Sequence, residues 1–202
     1  MMTTRFFEWF QFGVLACLGL LGVTRMIWLR ARGVRVLVAD RQRTGFQMLA
    51  DLLMLVCLLV WAYELVAYAW GVRFHVWPTR LFLDGLAVRL AGVALEVAGL
   101  LIYGVAVRDL GESWRLGTDR DRPGPLVTGG IYARMRHPIY VGFDLLFVGT
   151  CLVLQRFVFL FLALAMAPLL HTVMLREERF LTELYGDAYR DYCSRIGRYF
   201  SL

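Results

Sequence analysis

The stretch GGIYARMRHPIYVG, residues 129–142, gathers Arg134, Arg136 and His137 with Tyr132, Pro138 and Tyr140 at the head of an apolar run. Proline lacks an amide hydrogen and suits the first turn of a helix, while the residue before it is pushed off helical geometry. A loop through His137 is therefore expected to turn into a helix at Pro138. The start of such a helix offers free amides and partial positive charge, and with Arg134 and Arg136 beside it forms an anion site. Tyr132 and Tyr140 add aromatic faces and hydroxyls, and Gly129, Gly130 and Gly142 permit close backbone approach. A positive loop with interfacial tyrosines is the plainer reading, which explains the residue types but not their crowding around His-Pro.

A second group lies in HTVMLREE, residues 171–178. His171, Leu175 and Glu178 share one helical face by their i, i+4, i+7 spacing, with Arg176 and Glu177 next to them. The apolar run ends near 175, and adjacent acids at a helix C-terminus oppose its dipole. Either they mark a site or the helix continues further. A tight hairpin of apolar segments would bring this group to the base of the helix that starts at Pro138, enclosing a pocket.

The elements that must position these groups are membrane helices. Of 202 residues, 59% are hydrophobic and 19% charged, and the mean hydropathy is +0.60, an excess of apolar residues over soluble domains that points to lipid as solvent. Five segments approach the roughly 20 apolar residues of a spanning helix: 9–29, 47–70, 86–107, 139–154 and 157–175. Gln155 and Arg156 alone separate the last two, which predicts the hairpin, its first arm short for a full span. Beyond 175, Phe180, Leu181, Leu184 and Tyr185 form one apolar stripe, Gly186 a stop, and Ala188, Tyr189, Tyr192 and Ile196 a second stripe. The fold class is thus all-α: a polytopic membrane protein of about five spans with two short amphipathic C-terminal helices. Residues 1–107 form an N-terminal membrane region and 108–202 the region that carries the chemistry. The N-terminal segment reads as a retained helix, not a removed signal peptide.

All 22 basic residues are arginine, and the net charge is +6. Such a charge suits nucleic acid, a membrane surface or an anionic ligand; with the arginines at span ends, the membrane surface is the reading taken and no nucleic acid is expected. Arg30, Arg32, Arg35, Arg41 and Arg43, then Arg108, Arg115, Arg120, Arg122, Arg134 and Arg136, then Arg176, Arg179, Arg190, Arg195 and Arg198 fall on one side of a five-span chain. Arg5, Arg73, Arg80 and Arg156 fall on the other. This places the N-terminus outside and the C-terminus in the cytoplasm. Lysine-free composition fits a GC-rich bacterial genome, hence an inner membrane. Gly85, Gly92 and Gly99 recur every seven residues, a stripe for close helix packing. The acids Glu64, Glu96 and Asp144 lie inside spans and require partners, an interhelical hydrogen bond in the case of Glu96. Cys17, Cys57, Cys151 and Cys193 have neither metal-ligand nor redox spacing, so no metal is expected.

The motifs LGESWR, PLVTGGIY, RHPIYVG, REERFL and YGDAYRDY, followed by Arg195 and Arg198, span roughly 108–198. In that order they resemble the isoprenylcysteine carboxyl methyltransferase family, within the wider group that includes phospholipid N-methyltransferases. The resemblance implies an integral membrane enzyme that binds S-adenosyl-L-methionine at the cytoplasmic side. It implies cofactor contacts at Leu126, Val127, Tyr132, His137, Pro138, Tyr140 and Glu177 or Glu178. With the residue reading added, Arg136 of the anion site joins the cofactor contacts, Glu177 is taken as the cofactor's acid, and Arg176, Glu178 and His171 are placed at the chemistry. An arginine a turn before the glutamate is expected near a substrate carboxylate; in HTVMLREE the nearest is Arg176, directly adjacent. The acceptor is expected to be a small lipophilic molecule or lipid entering from the bilayer, since protein prenylation is not expected of a bacterium. A carboxylate or thiolate acceptor needs no base, whereas an amine must shed a proton to His171 or Glu178. Two rivals stand beside this reading. Membrane sterol-type reductases that use NADPH have a similar C-terminal arrangement, but with His-Pro-Asn-Tyr and an acid after the glycine, where this chain has Ile139 and Phe143. The second rival is a non-catalytic membrane scaffold or a small-solute transporter; a transporter would place its polar residues near the midplane, not at one face.

Overall fold

The computed structural model describes residues 2–34, 44–72, 74–77, 79, 85–114 and 124–200. Arg35, Arg41, Arg43, Arg73, Arg80, Arg115, Arg120 and Arg122 lie outside the described residues. Every regular element among those described is helical: α1 (Met2–Ala31), α2 (Gly45–Trp70), α3 (Leu86–Leu110), α4 (Pro138–Leu154), α5 (Phe157–Tyr185) and α6 (Asp187–Arg195), with short 3-10 turns at Gly111–Ser113 and Gly130–Ala133. Four helices are long and apolar enough to cross a membrane: Arg5–Ala31, Gly45–Trp70, Leu86–Ser113 and Phe157–Tyr185. α4 has 17 residues, about 25 Å of helix, short of the roughly 30 Å hydrocarbon thickness.

Successive long helices alternate in direction. At one end Arg25 on α1 donates to the Gly111 carbonyl after α3, and Arg32 pairs with Glu112 at 2.8 Å. At the other, Arg89 near the start of α3 donates to Val153 O (3.2 Å) and Gln155 Oε1 (3.1 Å) at the end of α4. Gln155 adopts left-handed geometry (φ 53, ψ 50), and Arg156 returns to extended backbone before α5 starts. This two-residue reversal is the expected hairpin, held because Arg89 satisfies the Val153 carbonyl that the end of α4 leaves free and fixes the Gln155 side chain of the turn.

Of the expected glycine stripe, Gly92 and Gly99 form a packing surface whose partner is α4, while Gly85 lies ahead of α3 and a Cβ there would meet only Val88 of that helix. A Cβ on Gly99 would lie 2.7 Å from Gly142 O, and one on Gly142 would lie 2.9 Å from Gly99 O. Gly92 and Gly149 repeat this reciprocity one heptad away, each hypothetical Cβ 2.8 Å from the other's carbonyl oxygen. Backbones this close hold α4, and hence its first turn, at a fixed place on α3.

Acids inside the bundle are partnered as their cost demands. Glu96, fully buried, accepts from Gln11 Nε2 and Thr150 Oγ1, both at 2.8 Å, the expected interhelical bond. Trp61 donates its indole N–H to Thr150 at 3.2 Å, so α1, α2, α3 and α4 meet in one polar network. Glu64 takes His75 Nδ1 at 2.9 Å and Val76 N at 2.6 Å. Asp144 is half-buried and has no hydrogen-bond or ion-pair partner among the described residues.

One expectation is corrected. α5 does not end near 175 but runs on to Tyr185, where Gly186 (φ 56) stops it. Arg, Glu and Leu are good helix formers and nothing in REERFLTELY breaks the helix, so the first of the two expected amphipathic helices is the last part of α5. α6 is the one separate helix among the described C-terminal residues. Glu177 and Glu178 thus sit inside a continuous helix.

Candidate active site

The loop into α4 is anchored from three sides. Gly130 has φ +62, and a Cβ there would lie 2.2 Å from Asp109 Oδ2, so this position demands glycine. That carboxylate at the end of α3 accepts from Ile131 N at 2.9 Å. Tyr192 of α6 donates its hydroxyl to the Tyr132 carbonyl at 2.6 Å. Beyond α6 the chain returns across the loop: Arg136 N donates to Gly197 O (3.0 Å) and His137 N to Arg198 O (3.3 Å). His137 then caps α4 from non-helical geometry (φ −127, ψ 55), with Pro138 at the first helical position as expected.

His137, 3% exposed, aims both ring nitrogens at α5: Nε2 lies 3.0 Å from Glu178 Oε1 and Nδ1 lies 3.7 Å from Glu177 Oε2. One turn further, Tyr140 donates its hydroxyl to Glu177 Oε2 at 3.0 Å. Glu178 is saturated. Arg198 donates Nε to Oε1 (2.9 Å) and a terminal nitrogen to Oε2 (2.7 Å), a bidentate fork, while Arg136 approaches Oε1 at 3.3 Å. The hydrogen bond to Glu178 pushes the Arg198 guanidinium pKa further up. Glu177, its side chain 40% exposed, accepts from Tyr140, faces His137 Nδ1 at 3.7 Å and has no further hydrogen-bond or ion-pair partner among the described residues.

Tyr132 is buried, and burial together with the Glu177 charge pushes its hydroxyl pKa well up, so it stays a neutral donor. That hydroxyl makes no hydrogen bond among the described residues. Burial likewise pushes the Tyr192 hydroxyl up to about 12.

The structure therefore brings Arg136, His137, Pro138, Tyr140, Glu177 and Glu178 together, with Tyr132 beside them. Leu126 and Val127 lie half-buried in the irregular segment before the 3-10 turn, whose start is tied to the end of α5 through Tyr185 and the Gly124 carbonyl. Arg176 makes no hydrogen bond to the cluster among the described residues; it forks Asp51 on α2 at 2.9 and 3.2 Å. His171 is also apart: its Nδ1 meets the Tyr199 hydroxyl at 2.8 Å, the rings stacked. A cavity of about 420 Å³, lined by Leu175, Glu178, Arg179, Thr182 and Glu183, borders the cluster at Glu178 and not at Tyr140 and Glu177. Arg198, Asp109, Asp51 and Tyr192 hold these groups in place without having been assigned a role from the sequence. Asp51 gave some signal as an acid at a span boundary; Arg198 stood only in the family pattern.

These features define an integral membrane protein with a polar site at one end of an apolar helical bundle. A family model described as phospholipid methyltransferase matches residues 88–188, half of the chain. The protein-S-isoprenylcysteine O-methyltransferase of Schizosaccharomyces pombe is 35% identical over 82 residues, covering 40% of this chain and 35% of that one. A solved structure of the eukaryotic intramembrane Ras methyltransferase ICMT aligns with TM-score 0.52 at 21% identity, over 79% of this chain and 53% of its own, a likeness of fold. The chain thus spans about a third of the curated relative's length and about half of the solved one's. The chain belongs to the phospholipid methyltransferase family, which favours the methyltransferase reading over a reductase, scaffold or transporter.

Proposed function

We propose that the chain is an integral membrane methyltransferase that uses S-adenosyl-L-methionine and modifies a lipophilic acceptor arriving from the bilayer. One observation carries the reading: His137 and Tyr140 at the head of α4 meet Glu177 and Glu178 of α5 in a family of methyltransferases. The donor set fits such a cofactor, having an open carboxylate, aromatic faces and a helix start in one place. Glu177 suits an ammonium group or ribose hydroxyls. Tyr132 and Tyr140 offer π faces to a sulfonium, an attraction of about 0.5–2 kcal/mol. The amides at the start of α4, with Arg136 and His137 behind them, suit a carboxylate. Leu126, Val127 and Pro138 supply apolar contact. When bound, the cofactor supplies an electrophilic methyl group, whose transfer asks for alignment more than covalent catalysis.

Glu178 is taken up by Arg198, Arg136 and His137, and His171 stands apart from the cluster with Tyr199 on its Nδ1, so neither is an open base at the site. This favours an acceptor that reacts as an anion, a carboxylate or thiolate, with Arg176 the adjoining cation if its fork with Asp51 opens. Residues 108–202 would carry the chemistry on the scaffold of 1–107, in a bacterial inner membrane. Purified protein incubated with methyl-labelled S-adenosylmethionine and a membrane lipid extract should label an extractable product, identified by mass spectrometry, and Glu177→Ala should abolish the label. No labelled product and no calorimetric binding of the cofactor would refute the proposal; NADPH oxidation in their place would restore the reductase reading.

A further inference from the structure

We infer that Arg198 is a positioning residue of this site: through Glu178 it fixes the orientation and tautomer of His137. The inference rests on the reading of His137 as a cofactor contact, but its geometry stands independently. α6 ends at Ile196 in extended backbone (φ −120, ψ 128), and residues 197–199 cross the loop before α4. Their carbonyls accept the Arg136 and His137 amides, which are ahead of the helix and have no helical acceptor of their own. The Arg198 side chain then spans Glu178 with two bonds, while Tyr199 engages His171 two turns back on α5.

Glu178 Oε1 receives Arg198 Nε and His137 Nε2, and Arg136, which donates to Cys193 Sγ, lies 3.3 Å from it; among the described residues Oε2 receives only Arg198. Without the fork, the carboxylate keeps no donor on Oε2 and is held at Oε1 alone, by His137 itself and the Arg136 charge, so its plane can turn about its last torsion. His137 would then lose the acceptor that holds its Nε2 proton. With the fork, Nε2–H is committed to Glu178, and Nδ1 is left facing Glu177, the open acid. Arg198 touches neither Glu177 nor Tyr140, so its effect on a ligand there passes through Glu178 and His137.

The experiment uses full-length protein in detergent with ¹⁵N-labelled histidine, the His137 ring being the signal absent from His137→Gln protein. The parent should show an Nε2-bound, slowly exchanging proton on that ring. Arg198→Lys should keep it, and Arg198→Ala and Arg198→Gln should lose it; an unchanged ring signature in either of the last two overturns the inference. If Arg198→Ala does not fold, Arg198→Gln decides. By calorimetry, Arg198→Ala or Arg198→Gln should bind S-adenosylmethionine at least tenfold more weakly, with Arg198→Lys within threefold of the parent and Tyr199→Phe within twofold. Tyr199→Phe weakening binding as much as the Arg198 variants would instead make the tail a general brace, and would also overturn the inference. A parent protein that does not bind the cofactor refutes the methyltransferase reading alone, and the ring signature still judges Arg198.

Discussion

Glu177 and Glu178 are adjacent in the chain and opposite in surroundings. Glu178 is 13% exposed and saturated by Arg198, Arg136 and His137; Glu177 is 40% exposed and accepts from Tyr140. The two should therefore fail differently. Glu178→Ala strands two guanidiniums and a histidine in a part-buried place, and a loss of about 2–4 kcal/mol is expected in thermal unfolding in detergent. Glu177→Ala removes one partly exposed acceptor and should cost under about 1 kcal/mol, yet weaken S-adenosylmethionine binding tenfold or more in calorimetry. Equal stability losses, or intact binding in Glu177→Ala, would contradict this division of roles. The pair was legible in REERFL as a place of chemistry. Which acid does what was not, because the difference is made by Arg198, 20 residues on, and by His137, 41 residues back.

At the scale of elements, the first turn of α4 is held in place by glycine contacts one heptad apart on α3 and α4. The α3 stripe was visible in the spacing of Gly92 and Gly99, but a stripe does not name its partner, and α4's matching Gly142 and Gly149 share that seven-residue spacing in a shorter helix. Gly99→Ala would place a methyl 2.7 Å from the Gly142 carbonyl, a backbone atom that cannot swing aside. A destabilisation of about 1–3 kcal/mol is expected from such overpacking, together with weaker cofactor binding as the head of α4 is displaced. Gly104 on the same helix has nothing within 4 Å of its would-be Cβ, so Gly104→Ala should be neutral or stabilising by up to about 1 kcal/mol. Thermal unfolding of the two variants side by side tests the packing. The extension of α5 past 175 was the element least visible, since the end of an apolar run marks where a helix leaves lipid and not where it stops.

For the whole molecule, five apolar runs and their alternation were readable because lipid demands satisfied backbone and long apolar stretches. The arginine bias predicts an orientation: among the described residues Arg25, Arg30, Arg32, Arg108, Arg134, Arg136, Arg176, Arg179, Arg190, Arg195 and Arg198 belong to the end that carries the site, against Arg5, Arg89 and Arg156 at the other. We expect a C-terminal green fluorescent protein fusion to fluoresce and an alkaline phosphatase fusion at the same point to be inactive; the reverse would invert the topology. What fixes the bundle from within is a further matter, since its lipid-facing surface and its interior are both apolar. Glu96 supplies the distinction, joining Gln11 of α1 and Thr150 of α4 directly and Trp61 of α2 through Thr150. Its sequence context showed that a partner was needed but not which helices would provide it, because each contact comes from a residue at least 54 positions away. Glu96→Gln retains both an acceptor and a donor at this junction and should unfold within a few degrees of the parent. Glu96→Leu leaves Gln11 without its acceptor inside an apolar interior, and Thr150 with only its own helix carbonyl to donate to. A loss of about 1–2 kcal/mol is expected, seen as a lower thermal midpoint in detergent and as easier proteolysis between α1 and α2. If the leucine variant matched the glutamine variant in both measurements, the polar network would be a tolerated burial, and the glycine contacts of α3 and α4 would be left as what specifies the arrangement.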